Sequence, residues 1–162
     1  MCIFITKVCM KKFRILIVLA AVFFTGQTCA DKAGTMYDQA LVKWNNESIR
    51  SYYIKVNYRA FSPQQGEWEL EVKDGQVVRA SSRGVWDGKY LKPAERFTVD
   101  SIFKTAEAVK SGKTDGPMVV KAEFSESIPY IKSVSRVNNE KFRGSMKKDA
   151  GFSIIILEFS RR

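Results

Sequence analysis

Three glutamates at alternating positions, Glu67, Glu69 and Glu71, are the first candidates for chemistry in this chain. Grouped carboxylates can act as a general acid and base, or they can bind a hard cation. In an extended strand, however, alternate residues share one face, and here that face is polar and lies opposite basic positions such as Arg59 and Arg79. We therefore expect cross-strand ion pairs rather than an acid–base or metal site.

Other catalytic patterns are incomplete. The chain of 162 residues has no histidine, which excludes Ser-His-Asp and Cys-His catalysis and histidine-ligated zinc. Two Ser-x-x-Lys segments begin at Ser101 and Ser145, but the companion Ser-Asp-Asn and Lys-Thr-Gly motifs of penicillin-interacting enzymes are missing. We therefore predict a protein that is not an enzyme and that uses no cofactor and no metal.

Two sets of side chains could instead bind a partner. Phe61, Trp86 and Tyr90 are candidate contacts for a protein, because aromatic residues dominate recognition hot spots. The alternative for Trp86 and Tyr90 is that they cap the open edge of the core. The second set is basic, concentrates in the last third of the chain and consists of Lys132, Arg136, Lys141, Arg143, Lys147 and Lys148.

These basic residues predict electrostatic binding to an anionic surface such as phospholipid, lipopolysaccharide or teichoic acid. The alternative is a solvated basic loop that has no dedicated partner. An export signal, described below, argues against nucleic acid as the target.

The stretch from Ser51 to Ser81 carries the clearest strand pattern. Apolar and polar residues alternate from Tyr52 to Ala60 and again from Glu67 to Lys73, and Asp74-Gly75 then turns the chain into a third strand. These three strands are therefore predicted to form an antiparallel meander. We expect a three-residue loop that ends at Gly75 and pairs Leu70 with Val78.

Two amphipathic helices are predicted to cover one face of this sheet. The first spans Thr35 to Asn45, and the second starts at Thr98 and ends at Gly112. Ser82 to Phe97 is irregular, with a small β-excursion around Asp87-Gly88. Three further strands are predicted at Pro117–Phe124, Tyr130–Asn138 and Phe152–Ser160, the last of them in the interior of the sheet.

The predicted fold is thus α+β, with an antiparallel sheet of about six strands and two helices on one face, in the order α-β-β-β-α-β-β-β. Residues 31–162 form a single domain. Residues 1–30 have the charged start, short apolar core and small-residue cleavage site of a secretory signal, and Met10 is an alternative start. The apolar run is too short for a membrane anchor.

Removal of residues 1–30 takes away four basic residues, no acidic ones and all three cysteines, so that the formal charge falls from +10 to +6. The exported domain would then lack thiol chemistry. Cys29 leaves one alternative open, because its lipidation would anchor the protein to a membrane; Gly26-Gln27-Thr28 before it does not match a lipobox, and this favours soluble export.

Several segments of the chain together resemble a family of small bacterial envelope proteins, domain-of-unknown-function family DUF6174. They are Trp44 with Ile49-Arg50-Ser51-Tyr52, Phe61 and Pro63, Val72 to Val78, Thr98 to Phe103, and Phe124 through Pro129 to Val134. Many members of that family are lipoproteins, and a Cys-Phe-Cys-Pro segment is frequent after the first strand. Ala60-Phe61-Ser62-Pro63 stands in its place here, so a disulfide or redox role tied to those cysteines is absent.

The resemblance implies a fold and a location but no agreed activity. We expect an exported bacterial protein, periplasmic or secreted, that acts as a non-catalytic protein-binding or inhibitor-like module of the cell envelope. The alternative function is binding to an anionic envelope polymer or lipid through the basic last third. Contact with a membrane would be peripheral, unless Cys29 is lipidated.

Overall fold

The structure, a computed structural model, describes residues 29–111, 116–145 and 151–162. Seven strands form one sheet: β1 (Tyr52–Ala60), β2 (Gly66–Lys73), β3 (Gln76–Ser82), β4 (Val85–Trp86), β5 (Met118–Phe124), β6 (Ile131–Asn138) and β7 (Phe152–Arg161). The helices are α1 (Cys29–Glu47), α2 (Leu91–Ala94) and α3 (Val99–Ala106), and short 3₁₀ turns flank α2 and follow α3.

The sheet is antiparallel throughout, with the strand order β4-β3-β2-β1-β7-β6-β5. The mixed fold and the antiparallel sheet are therefore confirmed, and β7 lies inside the sheet as predicted. The prediction of about six strands and two helices was low by one of each. The additional elements are β4, of two residues, and α2, of four, and both are too short to produce a periodic pattern in the sequence.

The helices cover one face of the sheet, and the core lies between the two layers. Tyr52, Ile54, Val56 and Tyr58 of β1 are buried on that face, as the alternation predicted. In β2, Trp68 stands opposite Val56 and is also buried. Helices α1 and α3 each add one apolar stripe to the core. The stripe of α1 consists of Tyr37, Ala40 and Trp44, and the stripe of α3 consists of Val99, Ile102, Phe103 and Ala106.

The prediction of a three-residue loop between β2 and β3 was wrong. Asp74 and Gly75 form a two-residue turn, both with positive φ (52° and 81°), so that Lys73 pairs with Gln76. A bulge then leaves Val78 unpaired, and Leu70 faces Ala80 rather than Val78. The inserted residue keeps Leu70 and Ala80 on the buried face. We had expected a three-residue loop to keep the apolar residues on that face, but the bulge does so instead.

Both long helices differ from their predicted bounds. Helix α1 begins at Cys29 and ends at Glu47, and α3 ends at Ala106 before a single 3₁₀ turn, Glu107–Val109. Thr98 is the N-cap of α3, since its Oγ1 accepts a hydrogen bond from the Ser101 N–H. The predicted end at Gly112 lies outside the described residues.

Two hydrogen bonds fix α3 against the rest of the core. The Trp44 Nε1–H of α1 donates to Asp100 Oδ1 at 2.7 Å, and the Val99 N–H donates to the Tyr52 hydroxyl of β1 at 3.1 Å. The second bond satisfies one of the N–H groups that a helix start leaves without an intrahelical partner. The N-terminus of α3 is thus hydrogen-bonded both to α1 and to β1, the middle strand of the sheet.

The predicted signal segment cannot be compared with the structure. Residues 1–28 and the side chain of Cys29 lie outside the described residues. Within the described parts of the chain, no helix combines the length and the apolar character that crossing a membrane requires.

Candidate functional site

A groove of about 480 Å³ lies at one end of the sheet, on the helix-covered side. Three segments border it: the β1–β2 loop with Pro63 and Gln64, the β3–β4 turn with Arg83, and the segment before α2 with Tyr90. Trp68 of β2 forms part of its wall. Polar backbone, aromatic rings and cationic side chains therefore meet in one concave surface, which is the usual character of a binding site.

Trp68 joins this groove to the core. Its side chain is 2% exposed, and its Nε1–H donates to the Gln64 carbonyl oxygen at 2.8 Å, which holds the β1–β2 loop against the sheet. The rings of Tyr90 and Phe97 pack on it with centroid distances of 5.6 and 5.1 Å. The wall of the groove is consequently packed directly on the core.

Arg83 shapes the neighbouring edge of the groove. It and Gly84 both have positive φ, and together they turn β3 into β4. The guanidinium reaches back to the β1–β2 loop and donates to the Gln65 carbonyl oxygen, at 3.0 Å from Nη2. A side chain at Gly66, where φ is +129°, would come within 3.3 Å of Arg83, so glycine is required there. No carboxylate pairs with Arg83 among the described residues.

The third segment adds the cation Lys89, and the turn after α2 adds Arg96. Asp87 caps a 3₁₀ turn, and the Lys89 backbone N–H and then the Lys89 ammonium, at 3.0 Å, hold the pKa of this carboxyl below its ordinary value. Arg96 donates to Gln64 Oε1 at 2.9 Å. Arg83 and Lys89 thus line the groove, and Arg96 contacts its lining residue Gln64; of these three cations, only Lys89 forms an ion pair within the described part of the chain.

The three predicted aromatic contacts do not form one surface. Phe61 is 80% exposed and lies in the β1–β2 loop, two residues before Pro63, while Tyr90 lines the groove and packs on Trp68. Trp86 pairs with Ser81, which faces Glu69, so it lies on the opposite, helix-free face of the sheet. The structure thus separates Trp86 from Tyr90, and the alternative of capping the core describes Tyr90.

A family model matches residues 36–140, which run from α1 into the 3₁₀ segment after β6. The chain belongs to the family of unknown function DUF6174. No curated protein sequence matches it. The resemblance inferred from the residues is thereby confirmed at the level of the family.

In this DUF6174 domain, Pro63, the last position of the Ala60-Phe61-Ser62-Pro63 segment, lines the groove. Ser62, in place of the second cysteine, accepts a hydrogen bond from the Gln64 N–H through its Oγ at 3.2 Å. The Ser62 N–H donates to the Ala60 carbonyl oxygen at 2.9 Å. Hydrogen bonds therefore hold the loop that presents Phe61.

The glutamates of β2 form ion pairs, as predicted. Lys55 Nζ lies 3.0 Å from Glu67 Oε2 and 3.8 Å from Glu69 Oε1, and Arg79 Nη1 lies 3.2 Å from Glu71 Oε1. The hydrogen bond to Glu67 raises the pKa of Lys55. Arg59 makes no such pair in the described part of the chain and faces Ser153 of β7 instead. No group of residues that could hold a metal ion occurs in the described ranges.

The predicted basic set is only partly described. Lys132, Arg136 and Lys141 are exposed and make no ion pair with any described residue. Lys132 occupies a bulge in β6, whereas Arg136 shares the helix-side row of Val120 and Phe152. The side chain of Arg143 and all of Lys147 and Lys148 lie outside the described residues.

Sequence reasoning did not identify Pro63, Trp68 and Arg83 as parts of one site. Trp68 was placed only as an inward residue of a strand, which is correct but gives no sign of the groove. Arg83-Gly84 is not one of the common hairpin dipeptides, so the turn that brings Arg83 back to the β1–β2 loop has a weak signal.

Proposed function

We propose that this DUF6174 domain is a non-catalytic protein-binding module of the cell envelope, which holds an extended acidic segment of a partner protein in the groove beside Trp68. The observation that carries the proposal is Phe61, a large apolar side chain that is 80% exposed in the β1–β2 loop, two residues before Pro63 of the groove. A partner that covers this ring would gain roughly 2 kcal/mol from burial.

The charges favour an acidic partner. Arg83 and Lys89 line the groove and Arg96 contacts its residue Gln64, and among these cations Asp87 pairs only with Lys89. A carboxylate placed near Arg83 would form a charge-assisted hydrogen bond with a guanidinium that, among the described residues, donates to backbone carbonyl oxygens. An apolar side chain of the same segment would pack against Pro63 and Tyr90.

The test is a pull-down from native envelope extract, with washes at low and then high salt. We expect a discrete protein to be retained at high salt by the wild-type chain and to be lost on Phe61→Ala, at least tenfold. Trp86→Ala is the matched control, because it removes an exposed aromatic residue from the opposite face and should leave retention unchanged. Equal retention by Phe61→Ala and wild type would contradict the proposal.

A second function, binding to an anionic lipid or envelope polymer, is favoured by the exposure of Lys132, Arg136 and Lys141, which form no ion pair with any described residue. We expect sedimentation with phosphatidylglycerol vesicles that falls at high salt, since the Debye length shrinks from roughly 10 Å at 0.1 M to about 3 Å at 1 M. Lys132→Gln with Arg136→Gln should weaken it several-fold. The control, Lys92→Gln with Lys104→Gln, removes the same charge elsewhere; equal loss in both pairs would mean that only net charge matters.

A further inference from the structure

We propose that strand β5 pairs with β5 of a second copy of this chain, so that one antiparallel sheet runs through a twofold-symmetric dimer. This inference is independent of the groove, which lies at the other end of the sheet. It depends on the free edge of β5, on the apolar character of that strand and on the order of its two charges.

The first step is the free edge. β5 spans seven residues, Met118–Phe124, and pairs on one side with β6. On its other side, its N–H and C=O groups meet no partner among the described residues. The opposite edge of the sheet is different, because β4 has two residues and follows a tight turn at Arg83-Gly84. β4 covers only Ser81 and Ser82 of β3, and the stretch of β3 left uncovered is short and interrupted by the Val78 bulge, so the β5 edge is the longer unbroken one within the described sheet.

The second step is the composition of β5. Five of its seven residues are apolar and half-buried: Met118, Val119, Val120, Ala122 and Phe124. Val120, Ala122 and Phe124 stand on the helix side, in rows shared with β6. A second strand beside them would cover their remaining exposed surface and continue the core across the interface.

The third step is the charge order, which selects one register. Lys121 and Glu123 are exposed on the helix-free face, and neither forms an ion pair with a described residue. Antiparallel pairing centred on Ala122 sets Lys121 opposite Glu123 of the second copy and, by symmetry, Glu123 opposite its Lys121. Directly opposite side chains in such a pair lie about 5 Å apart, within reach of an ion pair.

Other pairings of the same edge lack this complementarity. Antiparallel pairing centred on Lys121 would bring two lysines face to face, and in-register parallel pairing would align like charges at both positions. Charged residues on an edge strand usually discourage association. Here their order instead makes the strand complementary to itself in a single arrangement.

Sedimentation velocity of the purified chain over a range of concentrations tests the proposal. We expect a concentration-dependent dimer for the wild type. Lys121→Glu alone and Glu123→Lys alone should each raise the dissociation constant at least tenfold, because each opposes like charges in both symmetry-related pairs. The double variant Lys121→Glu with Glu123→Lys should return it to within about threefold of wild type, because the pairs are restored in reverse.

Lys132→Glu is the matched control, since it makes the same change of charge at an exposed position of β6 and should leave the dimer intact. Circular dichroism of every variant separates a lost interface from a lost fold. A wild-type chain that stays monomeric at all concentrations would overturn the proposal. So would a double variant that dissociates as readily as the single ones.

Discussion

Replacing Trp68 with alanine should lower the free energy of unfolding by about 3–5 kcal/mol, the range for truncating a large buried aromatic side chain. The ring is 2% exposed, contacts Tyr90 and Phe97, and holds the β1–β2 loop through Gln64. Its removal therefore leaves a cavity in the core and frees the rim of the groove. Urea unfolding followed by circular dichroism measures the change.

Trp68→Phe is the control for this variant. Phenylalanine keeps a ring against Tyr90 and Phe97 but loses the indole N–H, so that the Gln64 carbonyl oxygen loses its donor. We expect this variant to lose about 1–2 kcal/mol, since one hydrogen bond and a smaller volume are removed. Losses of similar size in both variants, or a loss below about 1 kcal/mol for alanine, would contradict this prediction.

Tyr52 should make the protein sensitive to alkaline pH. Burial raises the pKa of its hydroxyl from 10.0 to about 12, and the side chain is 1% exposed. Between pH 10 and pH 12 the unfolded chain loses this proton while the folded chain keeps it, so the folded state becomes less stable as the pH rises. The contribution present below pH 10 and lost by about pH 12 is about 2–3 kcal/mol.

Tyr52→Phe isolates this contribution. Near neutral pH the variant should be less stable by about 1–3 kcal/mol, because the buried Val99 N–H loses the hydroxyl that accepts its hydrogen bond. The difference from wild type should shrink or reverse between pH 10 and 12, as measured by urea unfolding at each pH. A difference that stays constant over this range would contradict the prediction.

Tyr53→Phe provides a comparison on the other face of the same strand. Desolvation and a hydrogen bond to Glu69 also raise the pKa of Tyr53 to about 12, but its ring is half-exposed on the helix-free face. Water therefore screens much of the effect, and the change in pH dependence should be smaller than for Tyr52→Phe. Absorbance of the phenolate during titration would distinguish the two residues.

The parts of the fold that follow from periodicity were predictable. Tyr52 to Tyr58 alternate without interruption, and the stripe of α3 falls on one helical face, so their buried residues were identified from the sequence. β7 was placed inside the sheet because Ile154 to Leu157 are apolar on both faces. These patterns reflect burial, which acts on many residues at once.

The parts that depend on one or two backbone angles were not predictable. Val78 as a bulge and Arg83 in a left-handed conformation have no pattern that distinguishes them from their neighbours. The bulge sets the β2–β3 register, and the Arg83 turn carries one wall of the groove. Phe61 was identified as a candidate contact because it is a large aromatic residue, but the groove near its loop, formed by Trp68 and Tyr90, depends on the packing of distant segments.

The position of β7 affects when the sheet can form during synthesis and which fragments of the chain can represent the domain. β1 and β7 are neighbours in the sheet, although most of the chain separates them, so the meander of the first half and the β5–β6 hairpin become one sheet only after the last strand has been synthesised. Such long-range pairing gives a high contact order and slow folding. The family match ends at residue 140, before β7 begins at Phe152. A fragment trimmed to the match would therefore lack the strand that unites the two halves, and its behaviour would not represent the domain.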